Sequence, residues 1–169
     1  MLIPLNVLLY QLSANSIYES QNIDLTGNFD NVQLFDQEQL NAEFGDELYL
    51  VSDQVLLNTL SRTPEDQFPS RCVFLCICQD EKLHTSNFHP NLSMVLLYTD
   101  ESFPLVFNRI LKIFHDFDIW DKNFHLMLIQ QKSLQDLLNL SRDFLVHPMV
   151  VLDRNYSILG YLKNPEVSD

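Results

Sequence analysis

Positive charge is missing from the first third of this sequence: no Lys or Arg occurs between Met1 and Ser61, where nine carboxylates fall. Over all 169 residues the balance is 23 acidic against 10 basic, a net charge of -13. Such a field repels phosphate backbones and anionic membrane surfaces, so direct nucleic-acid contact is not expected. Glycine is scarce too. Only Gly27, Gly45 and Gly160 are present, too few to build a phosphate cradle locally, and the G-x-S-x-G, G-x-x-x-x-G-K-[ST] and G-x-G-x-x-G patterns are absent. The sequence therefore offers no catalytic residue and no cofactor site, and an enzyme is not expected; such a reading survives only through residues distant in sequence. No run of about 18 apolar residues exists, so no membrane span is expected. The apolar start MLIPLNVLLY lacks a positive leading segment and is broken by Asn6, with Gln11 just beyond, unlike a secretory signal. The cytoplasm is the expected compartment, which leaves the glycosylation-like tripeptides at Asn91, Asn139 and Asn155 as chance matches.

What is present is a chain able to fold. It is 46% hydrophobic and 20% charged, and its length suffices for a core without staples. Leu2, Leu5, Leu8, Leu9 and Leu12 recur at helical spacing, with Pro4 tolerated in a first turn. Phe29 to Asp36 alternates as a strand does, and Asp46 to Ser52 gives a second strand after a turn at Gly45. Ser52 or Asp53 caps a helix carrying Val55, Leu56, Leu57 and Leu60. After the break TPEDQFPS, the run Arg71 to Gln79 is apolar on both faces, as a strand buried centrally in a sheet is. Ser93 to Thr99 is a fourth strand. Strands interleaved with helices make this an α/β fold with a mixed sheet of about four or five strands and flanking helices.

Phe103 to Ile129 then carries apolar residues in steps of three and four, one long helix or two in near continuity, with a break possible at Asp116-Phe117-Asp118. Ser102 is placed to cap its start. At about 1.5 Å per residue it spans roughly 40 Å, more than a compact small domain needs. A second helix opens at Ser133, with Asp136 at its third position. Beyond His147-Pro148, the run MVVLDRNYSILGYL reads as strand, turn at Asp153-Arg154-Asn155, strand, which is a hairpin. A lone hairpin is marginal in water and must pack on something. The organisation expected is an α/β sensory-type domain over 1–100, a helical connector over 101–146, and over 147–169 the opening hairpin of a following, truncated sensor domain.

Cys72, Cys76 and Cys78 share one strand face. Residues two apart on a strand are roughly 7 Å apart at the backbone, a poor chelate, so they are expected to be buried small hydrophobes and not a metal site. His84 and His89 flank a polar loop with Asp80 and Glu81, either solvated or an N/O ligand lip. His115 and His125 sit among Asp116, Asp118 and Asp121, as surface pairs or a pH-responsive interface. The apolar stripe Phe107, Ile110, Phe114, Phe117, Trp120 and Phe124 is either internal core or the interface of a homodimer.

The run from Val106 to Asn164 resembles the mid-region of bacterial transcriptional regulators of the PucR/CdaR type. The matching pieces are Val106-Phe107-Asn108, Trp120, Ser133-Leu134-Gln135, and His147-Pro148 followed by Val151, Asp153 and Tyr156 to Tyr161. His147 stands where the family often has Asn, and Gly160 where Ala is usual. The likeness covers about 60 residues of the 169, with a weaker similarity of the first third to that family's N-terminal sensory module. It implies a signal-sensing or relaying, dimerising region whose DNA-binding helix-turn-helix lies outside this chain. Its partners would be a second copy, other domains of the same polypeptide and an unidentified small-molecule effector. The alternative is a stand-alone ligand- or partner-binding α/β module unconnected with transcription.

Overall fold

The computed structural model describes residues 2–13, 17–35, 47–60, 72–79, 83–88, 90, 92–145 and 148–163. The expected turn at Gly45, the break TPEDQFPS, and Asp80, Glu81, His89 and His147 lie outside them.

The strands and helices follow in the order β1 (Ile3–Pro4), α1 (Leu5–Leu12), β2 (Ile17–Gln21), β3 (Asn28–Phe29), β4 (Val32–Leu34), β5 (Leu48–Ser52), α2 (Asp53–Leu60), β6 (Val73–Cys78), β7 (Met94–Tyr98), α3 (Phe103–Ile129), α4 (Leu134–Leu140), β8 (Met149–Leu152) and β9 (Ile158–Leu162). A 3-10 turn at Thr85–Asn87 precedes β7. By contact the chain divides into two compact units, Met1–His115 and Asp116–Asp169. The boundary falls inside α3.

The first unit is built on a five-stranded mixed sheet of order β2-β7-β6-β5-β4. β4 to β7 run parallel, and β2 lies antiparallel on β7. β6 is the middle strand, where its uninterrupted apolar run Val-Phe-Leu-Cys-Ile-Cys belongs. Tyr49, Phe74 and Met94 share one face with Val51, Cys76 and Leu96; Leu50, Leu75, Ile77, Val95 and Leu97 share the other, and all are buried. A sheet dry on both faces is the α/β arrangement. On the first face, Leu56 of α2 joins Phe35, Phe88 and Leu92 in one cluster with the three cysteines. Phe35 meets Phe74 edge-on with ring centres 5.3 Å apart, a favoured aromatic geometry. α2 begins where its cap residues direct it: the Asp53 carboxylate accepts from the Gln54 N–H at 2.7 Å and the Ser52 hydroxyl from the Val55 N–H at 3.4 Å.

Two readings change. Phe29 to Asp36 is not one strand: Phe29 ends β3, which pairs with β1 in a separate two-stranded sheet, while Val32–Leu34 joins the main sheet. Leu2 precedes α1 and is exposed, so the apolar stripe of that helix is Leu5, Leu8, Leu9 and Leu12, all fully buried. Of the two forms read for 103–129 the structure has the single helix: α3 runs unbroken through Asp116-Phe117-Asp118 for 27 residues. Its interior aspartates cost helix propensity that the burial of Phe117 outweighs. β2 was not apparent in the sequence at all. IYESQ is polar and mostly exposed, as an edge strand on one ladder partner can be.

In the second unit, the Schellman geometry at the end of α3 places Gln131 at φ 54. The Lys132 N–H reaches back to the Met127 carbonyl and the Gln131 N–H to the Leu128 carbonyl, each at 3.0 Å. The Ser133–Asp136 capping box then starts α4, each residue's side chain meeting the other's backbone N–H. β8 and β9 pair antiparallel with an irregularity at Val151/Leu152. In the turn, the Asp153 carboxylate accepts from the N–H groups of Asn155 and Ser157 at 2.7 and 2.8 Å, and Tyr156 takes φ 63. The hairpin packs on α4. A Cβ on Gly160 would fall 2.8 Å from a methyl of Leu138, so any larger residue there requires Leu138 to move. The Gln135 side chain accepts from the Tyr161 N–H at 3.0 Å and donates to the Tyr161 carbonyl at 2.9 Å.

Candidate interaction surface

Among the described residues of the first unit, several polar groups converge on Glu19 of β2. Its carboxylate accepts from the Thr85 hydroxyl at 2.6 Å and the Tyr98 hydroxyl at 2.8 Å, and lies 3.3 Å from His84 Nδ1. The Thr85 hydrogen bond first, then those from Tyr98 and His84, hold the Glu19 pKa down at about 2 against modest burial. Burial and the Glu19 carboxylate push the Tyr98 phenol well above its usual value. Each of these groups has its partner, and the network ties the segment before β7 to the sheet edge. While its expected neighbours Asp80 and Glu81 lie outside the described residues, His84 faces a carboxylate 65 residues earlier. Spacing along the chain carries no trace of that pairing.

Cys72, Cys76 and Cys78 are fully buried, with the sulfurs of Cys76 and Cys78 3.7 Å apart. Desolvation raises the Cys72 thiol to about 12. The Cys76 thiol moves up as well, first through its hydrogen bond with Cys78 and then through burial. Such thiols are inert packing groups. Among the described residues no three His, Cys, Asp or Glu side chains are grouped to hold a metal ion. Arg109 joins the last carbonyl of α1, at Leu12, to Glu101, whose carboxylate it meets at 2.7 Å. That tie is structural.

The stripe on α3 resolves residue by residue. Ile110 is buried in the first unit, and Phe107 and Phe114 are half-buried. In the second, Phe117 is buried and Trp120 half-buried, both against Phe144, and the half-buried Phe124 meets Trp120, with ring centres 4.3 to 6.1 Å apart through these pairs. The Trp120 indole N–H donates to the Ser141 hydroxyl at 3.1 Å. Phe144 was not singled out in the sequence, because it follows α4 off the helical period. The face of α3 that the stripe occupies in the second unit is therefore largely engaged by its own chain.

The uncovered surface is elsewhere. Among the described residues nineteen large apolar side chains are exposed, and eleven of them lie between Ile119 and Tyr161. Ile119, Leu126 and Ile129 occupy the side of α3 away from Phe117 and Trp120, since at 100° per residue they fall within a quarter-turn of one another. Beside them is an open depression of about 430 Å³ lined by Asp121, Lys122, His125, Leu126 and Ile129. On the hairpin, Val150, Leu159 and Tyr161 share the face opposite Gly160 and are exposed. The flanking charges are mixed: Lys122 pairs with Asp118, and His125 with Asp121 at 3.4 Å, each one helical turn apart. An apolar surface bordered by polar residues of both signs is what protein-binding faces present. Among the described residues no helix is long and apolar enough to cross a membrane.

Comparison with protein-family models, with curated proteins and with solved structures finds no match for this chain.

Proposed function

We propose that this chain is the regulatory N-terminal region of a bacterial transcriptional regulator of the PucR/CdaR type. It works in the cytoplasm without catalysis and relays a signal by associating with protein surfaces, not by touching DNA. The observation that carries this reading is the uncovered apolar surface of the Asp116–Asp169 unit, on a chain whose net charge of -13 disfavours phosphate. The motifs from Val106 to Tyr161 that resemble the family supply the transcriptional part. A stand-alone partner-binding module would use the same surface and differs in having no basic helix-turn-helix on the same polypeptide. Crosslinking in the native cell separates the two. The polypeptide that carries these residues should be recovered on DNA, while the purified 169-residue chain leaves duplex oligonucleotides unshifted. Tight, salt-sensitive binding of duplex by the purified chain overturns the proposal, and a polypeptide never recovered on DNA selects the stand-alone module.

A further inference from the structure

We infer that Cys76 and Cys78 form a two-thiol site for a trivalent thiophilic centre of the organoarsenic(III) class, reached when the strap 83–88 lifts from Glu19. The site lies in the first unit and does not rest on the regulatory reading. Its basis is a distance. Alternate residues of a strand stand roughly 7 Å apart at the backbone, yet these two sulfurs converge to 3.7 Å, the Cys78 thiol donating to the Cys76 sulfur. Two sulfurs bonded to one centre at about 2.3 Å and a near-tetrahedral angle lie about 3.8 Å apart. The pair is therefore spaced for a one-atom bridge. A direct disulfide fits less well, because it draws the sulfurs to about 2.05 Å while the sheet holds the Cα atoms at the upper end of the range disulfides tolerate.

The surroundings choose the centre. Both thiols are buried in one cluster with Val51, Leu56, Phe74, Phe88 and Leu96, and the hydrogen bond from Cys78 first, then burial, pushes the Cys76 thiol pKa up. As packed they are protonated and unreactive. Zinc wants four ligands, and among the described residues no three His, Cys, Asp or Glu side chains are grouped to supply them. Cu(I) on two thiolates is an anion, which is costly to bury unpaired among apolar side chains. A monosubstituted arsenic(III) oxide leaves a neutral product instead. R–As=O and two thiols give R–As(S)₂ and water: two As–S bonds form, the As=O bond breaks, both thiol protons leave on the oxygen, and arsenic stays trivalent.

The way in is set by Glu19. Tyr98 of β7 stands across from Cys78 of β6, and Leu83 packs on the same cluster. The Leu83 carbonyl accepts from the Tyr98 hydroxyl at 2.7 Å, the Thr85 hydroxyl donates to Glu19 at 2.6 Å, and His84 Nδ1 lies 3.3 Å from that carboxylate. Tyr98 itself also meets Glu19, at 2.8 Å. One carboxylate thus fastens the strap, and removing its charge loosens the ties together.

The test treats the full 169-residue chain with phenylarsine oxide under native conditions, denatures it, alkylates it with N-ethylmaleimide and maps it by mass spectrometry, with CD as the folding control. One phenylarsenic group per chain should bridge Cys76 and Cys78, leave Cys72 to the maleimide and come off with excess dithiothreitol. Glu19→Gln should speed the bridging by about tenfold or more, the weight of a hydrogen bond to a charged group. Native maleimide labelling of Cys72, fully buried just ahead of the same strand, should keep its wild-type rate. Cys76→Ala and Cys78→Ala should each abolish the bridge and Cys72→Ala keep it; the mapping of the wild type stands even where a variant misfolds. No adduct on either the wild type or Glu19→Gln while CD stays native overturns the site, as does arsenic mapped to Cys72. Bridging that Glu19→Gln does not speed, or that it speeds equally with Cys72 labelling, overturns the strap as the way in.

Discussion

The two units solve the problem of burying apolar surface with unequal success. Of the thirty buried apolar side chains among the described residues, twenty-seven belong to the unit ending at His115, and only Phe117, Leu138 and Leu162 to the unit that follows. The first unit has a sheet with two dry faces. The second has a helix pair, a four-ring aromatic group and a two-stranded hairpin, and leaves large apolar residues uncovered on both the helix and the hairpin. A region whose own residues cannot dry its surface is one whose stability and association are coupled, and that is where function is to be sought.

The comparison can be broken with probes that read each unit. Trp120 is the sole tryptophan and reports the second unit, while the strong far-UV signal of the sheet and its helices reports mainly the first. The largest effect expected is from Leu75→Ala, which opens a cavity in the middle strand where the side chain is fully buried. It should cost about 2–5 kcal/mol in denaturant unfolding and shift the far-UV transition more than the Trp120 transition. Coincident shifts in both probes would mean that the two units unfold as one, and the contrast drawn above would not hold. Next, Gly160→Val drives a branched side chain into Leu138 and should cost about 1–3 kcal/mol. The loss should appear in the fluorescence transition, with amide-exchange protection of β5 to β7 unchanged.

A smaller effect belongs to the first unit and to pH. The Glu19 carboxylate has a folded pKa near 2 against an ordinary value of 4.5. Its contribution is therefore fully present above about pH 4.5 and is lost as pH falls toward 2. Glu19→Gln should flatten that acid limb in a pH series of far-UV melts and leave Trp120 fluorescence melts as they were. An acid limb of equal slope in the variant would remove Glu19 as its source. The smallest effect is a gain. Gln131 sits at φ 54, where glycine has no side chain to strain, so Gln131→Gly should stabilise the second unit by about 0.5–1 kcal/mol. An unchanged fluorescence melting temperature would show that the capping hydrogen bonds already offset the strain.

Much of the fold was legible because local signals agreed with it. The doubly apolar run Val73 to Cys78 reads as a middle strand, the 27-residue period of α3 as one helix, and Ser133 with Asp136 as a helix start. What was not legible depended on partners remote in sequence. β2 is a strand because Met94 to Tyr98 offers it a ladder, and nothing in Ile-Tyr-Glu-Ser-Gln announces that. Glu19 and His84 meet across 65 positions for the same reason. The α3 stripe shows a subtler limit. Periodicity identified an apolar face with Phe117 and Trp120, but a second face at Ile119, Leu126 and Ile129 is diluted by Lys122 and His125, and only the position of Phe144 shows which side of the helix is already occupied.

The amide of Gln135 does for β9 what a neighbouring peptide group would do. By satisfying both backbone groups of Tyr161 at once, it acts as a one-residue stand-in for a third strand, and it stoppers the hairpin's outer rim at that point. A passing extended segment would have to displace the glutamine before it could pair with Tyr161, so strand addition along that rim is opposed from within the fold.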